Sequence, residues 1–175
     1  MTRRAMVRED FEIVAQMVFE GAAANFARRG EVSPLIFVLK MDDQHRIVSA
    51  KIIAVQDLFT EDLGTGGKDM AARIMDLALA SGADLVALVV EAWVASAEQG
   101  VSLEGELPDG AACVEEVPGR TEAVSVFFRS ADFTTLALWP IDRAGKRLVH
   151  KPIDWNPGNR FSGRFAGDQQ DHPRQ

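Results

Sequence analysis

The sequence is poor in the residues that most often build metal and disulfide sites. It has one cysteine, Cys113, and three histidines, which stand far apart at positions 45, 150 and 172. A single cysteine cannot form an internal disulfide, and scattered histidines do not match the ligand spacing of a zinc site. We therefore expect no cofactor and no bound metal, and an internal disulfide is excluded.

Long apolar runs are lacking as well. The opening residues, MTRRAMVREDFE, carry basic side chains with no apolar stretch behind them. No segment approaches the roughly 18 consecutive apolar residues of a transmembrane helix. We therefore expect a cytoplasmic protein that does not interact with a membrane.

What the chain does have is the composition of an ordinary globular domain. Its 175 residues are 47% hydrophobic and 26% charged. A chain of this size can bury a substantial single core. We expect one α+β domain over residues 1–155. Residues 156–175 are polar and rich in Gly, Pro, Asn and Gln, which predicts a C-terminal arm that is flexible or docked.

The net charge of -7 is unevenly distributed along the chain. Residues 97–119 carry six acidic side chains and no Lys or Arg, whereas the part after Pro140 is mildly basic. This asymmetry predicts attraction between the two regions, within or between chains, and the alternative is two separately solvated surfaces. Arginine and aromatic residues alternate in residues 155–165, a pattern that can bind single-stranded nucleic acid. Because the chain is acidic overall, we expect no nucleic-acid partner.

Hydrophobic periodicity predicts two helices and five or six strands, in the order α-β-β-α-β-β-β(-β). The helical pattern over residues 9–29 ends at Gly30, and a second helix begins at Asp69 as a capping residue. The expected strands cover residues 35–41, 47–55, 84–96, 122–129, 133–141 and 147–153. A strand, a helix and a strand in succession favour a parallel crossover, so the strand at 84–96 is expected near the centre of the sheet. The predicted fold class is α+β.

The arrangement of these elements leads to an expectation about self-association. The predicted strands are apolar on both faces of a mixed sheet, and we expect the two helices to lie mainly on one face. Large apolar patches are rare on the surface of monomers. We therefore expect the second face to be covered by the acidic connector, by the C-terminal arm or by a second copy, and we predict a homodimer.

One carboxylate interrupts the most apolar strand. The segment DLVALVVEAWVAS, residues 84–96, carries Glu91 close to Trp93. A carboxylate in an interior strand needs a partner or a proton. Arg120 and Glu122 begin the next strand and can meet Glu91 at the end of this one. The three residues are candidates for an acid/base pair with a bound anion, and the alternative is an arginine bridge that fixes strand register. No catalytic residue is assigned beyond these candidates, and Trp93 and Arg120 are the candidates for binding.

A second candidate is the glycine-rich segment from Gly64 to Lys68, which lies between a predicted strand and a predicted helix. Backbone amides at such a position can hold a phosphate. The segment departs from the P-loop pattern, because Asp62 stands where that pattern has its first glycine and Asp69 where it has a Ser or Thr. The alternative is a flexible connector that uses the conformational freedom of glycine.

Three short motifs resemble a group of small uncharacterised bacterial and phage-associated proteins. The motifs are RGEVSP at residues 29–34, VEAW at 90–93 and PGRTEA at 118–123, and the resemblance spans about residues 10 to 140. In that group a Glu-Ala-Trp strand end is followed by a Pro-x-Arg-x-Glu strand start. The resemblance implies no known activity, and it makes Glu91, Trp93, Arg120 and Glu122 the first residues to test.

Together these features favour a self-associating interaction domain without catalytic activity. One alternative is a small hydrolase or anion-binding enzyme that uses Glu91, Arg120 and Glu122. Another is a small-ligand sensor that uses the segment from Gly64 to Lys68.

Overall fold

The computed structural model describes residues 5–95, 108, 110 and 116–153. They form two α-helices and six strands, which confirms the predicted α+β class. The elements are α1 (Arg8–Arg29), β1 (Leu35–Met41), β2 (Ile47–Ala54), α2 (Gly64–Ala80), β3 (Leu85–Val94), β4 (Thr121–Arg129), β5 (Thr134–Asp142) and β6 (Arg147–Leu148), with a short 3₁₀ helix (Gln56–Phe59) before α2. Residues 154–175, Cys113 and nearly all of the acidic connector lie outside the described residues.

Helix α1 follows its sequence pattern closely. It begins one residue before the predicted start and ends at Gly30, whose φ of 75° is left-handed and whose N–H donates to the Phe26 carbonyl oxygen at 2.7 Å. Gly30 favours this conformation because it has no Cβ. At the other end of the helix, the buried Asp10 accepts a hydrogen bond from the Val7 N–H at 2.9 Å and pairs with His45 in the β1–β2 turn.

Helix α2 begins at Gly64, so the prediction that Asp69 caps this helix is wrong. The segment from Gly64 to Lys68 belongs to the first turns of α2 and is not a connector. The physical reason is visible at Gly67, which is buried against the 3₁₀ helix. A Cβ at Gly67 would lie 1.8 Å from the carbonyl oxygen of Leu58. A glycine at this position lets the two backbones approach, and this packing offsets the poor helix propensity of glycine.

The sheet has the strand order β2-β1-β3-β4-β5-β6, with β3 near its centre as predicted. Both β2 and β3 run antiparallel to β1, so β3 has the same direction as β2 with β1 between them. The expected parallel crossover is therefore present between β2 and β3, but the expected mixed pairing is not, because each described strand pairs antiparallel with its neighbours. The β2–α2–β3 crossover skips one strand position, and all paired strands are antiparallel.

The two helices pack on opposite faces of the sheet, which corrects the expectation that they share one face. On one face, Leu85, Ala87 and Val89 of β3 pack in a core that includes the α1 residues Phe11, Val14, Val18 and Phe26. On the other face, Val86, Leu88 and Val90 pack in a core that includes Ala71 and Met75 of α2. Alternate side chains of a strand point to opposite faces of the sheet. A strand that is apolar on both faces therefore needs a packing element against each face.

Strand β2 carries the sheet's uncovered apolar surface. It pairs with β1 alone among the described strands, and it forms one edge of the sheet. Its side chains Val48 and Ile52 are 62% and 61% exposed. Each face of the sheet is covered by a helix, so the bare second face from which a homodimer was expected is not present among the described residues.

We expect Gly67→Ala to destabilise the protein by about 1–3 kcal/mol, because the added methyl group must displace the Leu58 backbone. The matched control is Gly66→Ala in the same helical turn, where an added Cβ has nothing within 4 Å. This control should be neutral or stabilising, since alanine favours a helix over glycine. Urea unfolding of both variants measures the difference, and equal stabilities would contradict the close approach.

Candidate functional site

Glu91 lies where β3 runs past the beginning of β1. The last pair between these strands joins Leu35 to Val89, so Glu91 is two residues beyond it and next to the connector that leads from α1 into β1. Its Oε1 accepts a hydrogen bond from the Val32 N–H at 2.7 Å. The carboxylate therefore attaches this connector to the central strand.

The guanidinium group near Glu91 belongs to Arg143, which follows β5. Arg143 Nη2 lies 3.7 Å from Oε2 of Glu91. The Nε of the same side chain donates to Oε2 of Glu122 at 2.9 Å, and its Nη2 donates to the other oxygen of that carboxylate. Its Nη1 donates to the Gly30 carbonyl oxygen at 2.6 Å. One arginine thus joins β3, β4 and the end of α1.

The predicted cluster forms in part. Glu91 and Glu122 lie close together, because Glu122 pairs with Trp93 and Val124 pairs with Glu91 across β3 and β4. Arg120 does not join them. Its guanidinium stacks 4.6 Å from the ring centroid of Trp93, and its Nη1 donates to the Val117 carbonyl oxygen at 3.4 Å.

Sequence reasoning missed Arg143, although a signal for it was present. The β4–β5 register pairs Ala123 with Pro140. Continuing that antiparallel register places Arg143 opposite Arg120, on the side of the sheet that carries Glu122. Arg143, which follows the second strand of the predicted hairpin, was therefore as good a candidate partner for Glu122 as Arg120, which is two residues away in sequence.

Burial and hydrogen bonding act in opposite directions on Glu91. Desolvation raises the pKa of the Glu91 carboxyl above its ordinary value, and the nearby Glu122 and Glu31 carboxylates also raise it. The Val32 N–H and Arg143 lower it but do not cancel the effect of burial. The hydrogen bond with Glu122 raises the pKa of Arg143, so this cation stays charged. Glu91 therefore takes up a proton at a higher pH than an ordinary glutamate does.

A cavity of about 610 Å³ opens beside Glu91, and we call it the Glu91 cleft. It brings together Glu91 and the segment from Gly64 to Lys68, the two features that the sequence singled out separately. The lining residues are Glu31, Val32, Ser33, Pro34, Gln56, Phe59, Thr60, Glu61, Gly64, Lys68, Val90 and Glu91. The lining therefore combines three carboxylates and one ammonium group with apolar walls.

The described residues exclude two other kinds of site. No group of three or more His, Cys, Asp or Glu side chains in residues 5–95, 108, 110 and 116–153 has an arrangement that could hold a metal ion. None of the helices in that same part of the chain has both the length and the apolar character needed to cross a membrane. The carboxylates of the Glu91 cleft thus do not form a metal site among themselves.

Comparison with protein-family models, with curated proteins and with solved structures gave no match for this chain.

We expect Arg143→Gln to destabilise the protein by about 1 kcal/mol, because it leaves Glu91 and Glu122 close together without their shared cation. The matched control is Arg120→Gln, which removes a guanidinium that neither carboxylate contacts and should have the smaller effect. Chemical denaturation of both variants tests this assignment. A larger loss of stability in Arg120→Gln would contradict it.

Proposed function

We propose that the protein is a small-molecule-binding domain whose ligand occupies the Glu91 cleft. The observation that carries this proposal is the meeting of Glu91, from the central strand, with Lys68, from the first turns of α2, around one cavity. Its volume of about 610 Å³ lies within the usual range for ligand sites. The lining is more polar than that of most ligand pockets, which favours a ligand that carries a charged group.

The charge of the lining favours a ligand with a cationic group. Three carboxylates face one ammonium group, and Glu31, Glu61 and Lys68 form no ion pair with one another or with any other described residue. Glu31 and Glu61 supply carboxylate oxygens that no described residue occupies, and Glu91 adds negative charge at the wall of the cleft. Phe59 and Val90 offer apolar contact to the rest of the ligand. An organic amine with an apolar body matches this combination.

The geometry favours binding over catalysis. Both oxygens of Glu91 already interact with the protein, one with the Val32 N–H and the other with Arg143. Glu122 is held by two hydrogen bonds from Arg143. A general acid or base needs a free oxygen within hydrogen-bond reach of its substrate, and these interactions compete for that position. The enzyme alternative built on Glu91, Arg120 and Glu122 therefore has less support than a binding cleft.

We expect 2-phenylethylamine to bind to the protein and its uncharged analogue 2-phenylethanol to bind more weakly. Glu61→Gln should weaken amine binding about two- to fivefold, as expected for an exposed ion pair. Binding should also weaken as the pH falls, since the raised pKa of Glu91 means that its negative charge is lost earlier than that of an ordinary glutamate. Isothermal titration calorimetry measures all three effects.

The matched control for this experiment is Glu20→Gln, which removes an exposed charge from α1 and should leave amine binding unchanged. Equal binding of the amine and the alcohol would overturn the proposed cation site. An equal effect of Glu20→Gln and Glu61→Gln would do the same, because it would indicate attraction by net charge alone.

A second candidate function is self-association, which the edge strand β2 supports. Val48 and Ile52 are the most exposed apolar side chains of this strand, and an exposed edge has backbone groups available for pairing. They are symmetric about Ala50. In a two-fold antiparallel pair centred there, Val48 lies opposite Ile52 of the second copy. Lys51 then lies opposite Ser49 rather than opposite itself, so the pairing avoids contact between like charges.

We expect the protein to have the mass of a dimer of 19.1 kDa chains, and Ile52→Lys to shift it toward the monomer. A lysine at this position places two like charges against the apolar side chains of the other copy. The matched control is Leu77→Lys on α2, since Leu77 is 64% exposed and lies away from the edge. Sedimentation equilibrium distinguishes these outcomes. A monomeric wild type, or dissociation by Leu77→Lys alone, would overturn pairing through β2.

A further inference from the structure

A second cavity lies at the C-terminal end of α1. It has a volume of about 380 Å³ and is located between the last turn of α1 and the turn that joins β5 to β6. Its lining includes four cationic side chains, Arg28, Arg29, Arg143 and Lys146, and no acidic residue. We call it the basic cleft. Such a concentration of positive charge is notable in a chain whose net charge is -7.

Three of these cations have little or no compensation from the protein. The side chains of Arg29 and Lys146 form no hydrogen bond and no ion pair with the described residues. Arg28 donates to Oδ1 of the uncharged Asn25 at 2.7 Å. Arg143 differs, because Glu122 holds it in place and its guanidinium lies 5.3 Å from the ring centroid of Phe26. The cleft thus combines one fixed cation with three that are available to a ligand.

Interaction with the helix dipole does not account for the whole cluster. Basic residues in the last turn of a helix stabilise it through the helix dipole, and this effect is enough to explain why Arg28 and Arg29 occur at the end of α1. Lys146 comes from a different element and has a φ of 52°, a left-handed conformation that a residue with a side chain adopts at an energetic cost. The β5–β6 turn therefore places Lys146 beside the end of α1, and the cluster draws its cations from two separate elements.

We propose that the basic cleft binds a small anionic ligand of the phosphate class, with the charge of a diphosphate group. Arg28 and Arg29 have planar guanidinium groups suited to phosphate oxygens, and Lys146 offers three N–H donors at the end of a flexible chain. Arg143 contributes a fixed positive charge at the wall of the cleft. Several cations around one small cavity favour a multiply charged anion, because each additional negative charge finds a partner.

The inference is independent of the proposed amine site. The basic cleft and the Glu91 cleft share no lining residue, and they differ in charge. An experiment on Arg29 and Lys146 therefore leaves the lining of the Glu91 cleft intact.

The experiment titrates inorganic pyrophosphate into the full chain and follows the backbone amide signals by NMR. We expect saturable shifts at Arg29, Gly30 and Lys146, with an affinity that falls as sodium chloride is added. The test variant combines Arg29→Gln with Lys146→Asn, since asparagine tolerates a positive φ and removes the charge without added strain. Binding should weaken at least tenfold in this variant.

The matched control combines Lys40→Gln with Arg73→Gln, which removes the same charge from exposed positions outside the cleft. It should retain pyrophosphate binding, and circular dichroism should show that both double variants are folded. Absence of saturable shifts in the wild type, or equal weakening in the two double variants, would overturn the proposal. Binding of 2-phenylethylamine should be the same in both variants, so the two sites succeed or fail separately.

Discussion

The arrangement of the candidate sites depends on how a partly buried carboxylate on the central strand is compensated. Glu91 cannot be left without partners in a strand that packs on both faces, because desolvation disfavours its charge. The Val32 N–H and Arg143 provide those partners, and each comes from a segment distant in sequence. The connector between α1 and β1, the central strand and the end of β5 are thereby held together at one corner of the sheet. Both cavities lie against this corner.

The same interaction divides the corner into two regions of opposite charge. Glu91 lines one cavity and Arg143 lines the other, and the two side chains contact Val32 and Gly30 of the same connector. One cavity is therefore lined by three carboxylates, which are Glu31 of the connector, Glu61 of the turn before α2 and Glu91 of β3. The basic residues that end α1 face the other side, together with the β5–β6 turn. A protein with a net charge of -7 can in this way present a positive cleft, because local charge is set by which segments meet and not by the overall composition.

Much of the fold was predictable, and the errors have physical reasons. The period of α1 and the glycine after it predicted both ends of that helix within a residue. The start of α2 was missed because glycines disfavour helices in isolation, and only the neighbouring Leu58 backbone shows why Gly67 is needed. The prediction that both helices lie on one face of the sheet was wrong. The alternation of apolar side chains along a strand shows that both faces are apolar, but it does not show which element covers each face. Likewise, the need of Glu91 for a partner was evident, whereas the identity of that partner required the register of β4 and β5.

Local pattern in the sequence determined the class of fold, the number and order of its elements, and the presence of a carboxylate that had to be compensated. These properties follow from periodicity, from turn residues and from the desolvation of a charge, all of which act over a few residues or on one side chain. Tertiary structure alone decided that β1 lies between β2 and β3, that Arg143 rather than Arg120 reaches Glu91, and that Lys68 and Glu91 share a cavity. Each of these depends on which distant segments pack together, and many alternative pairings would satisfy the same local preferences.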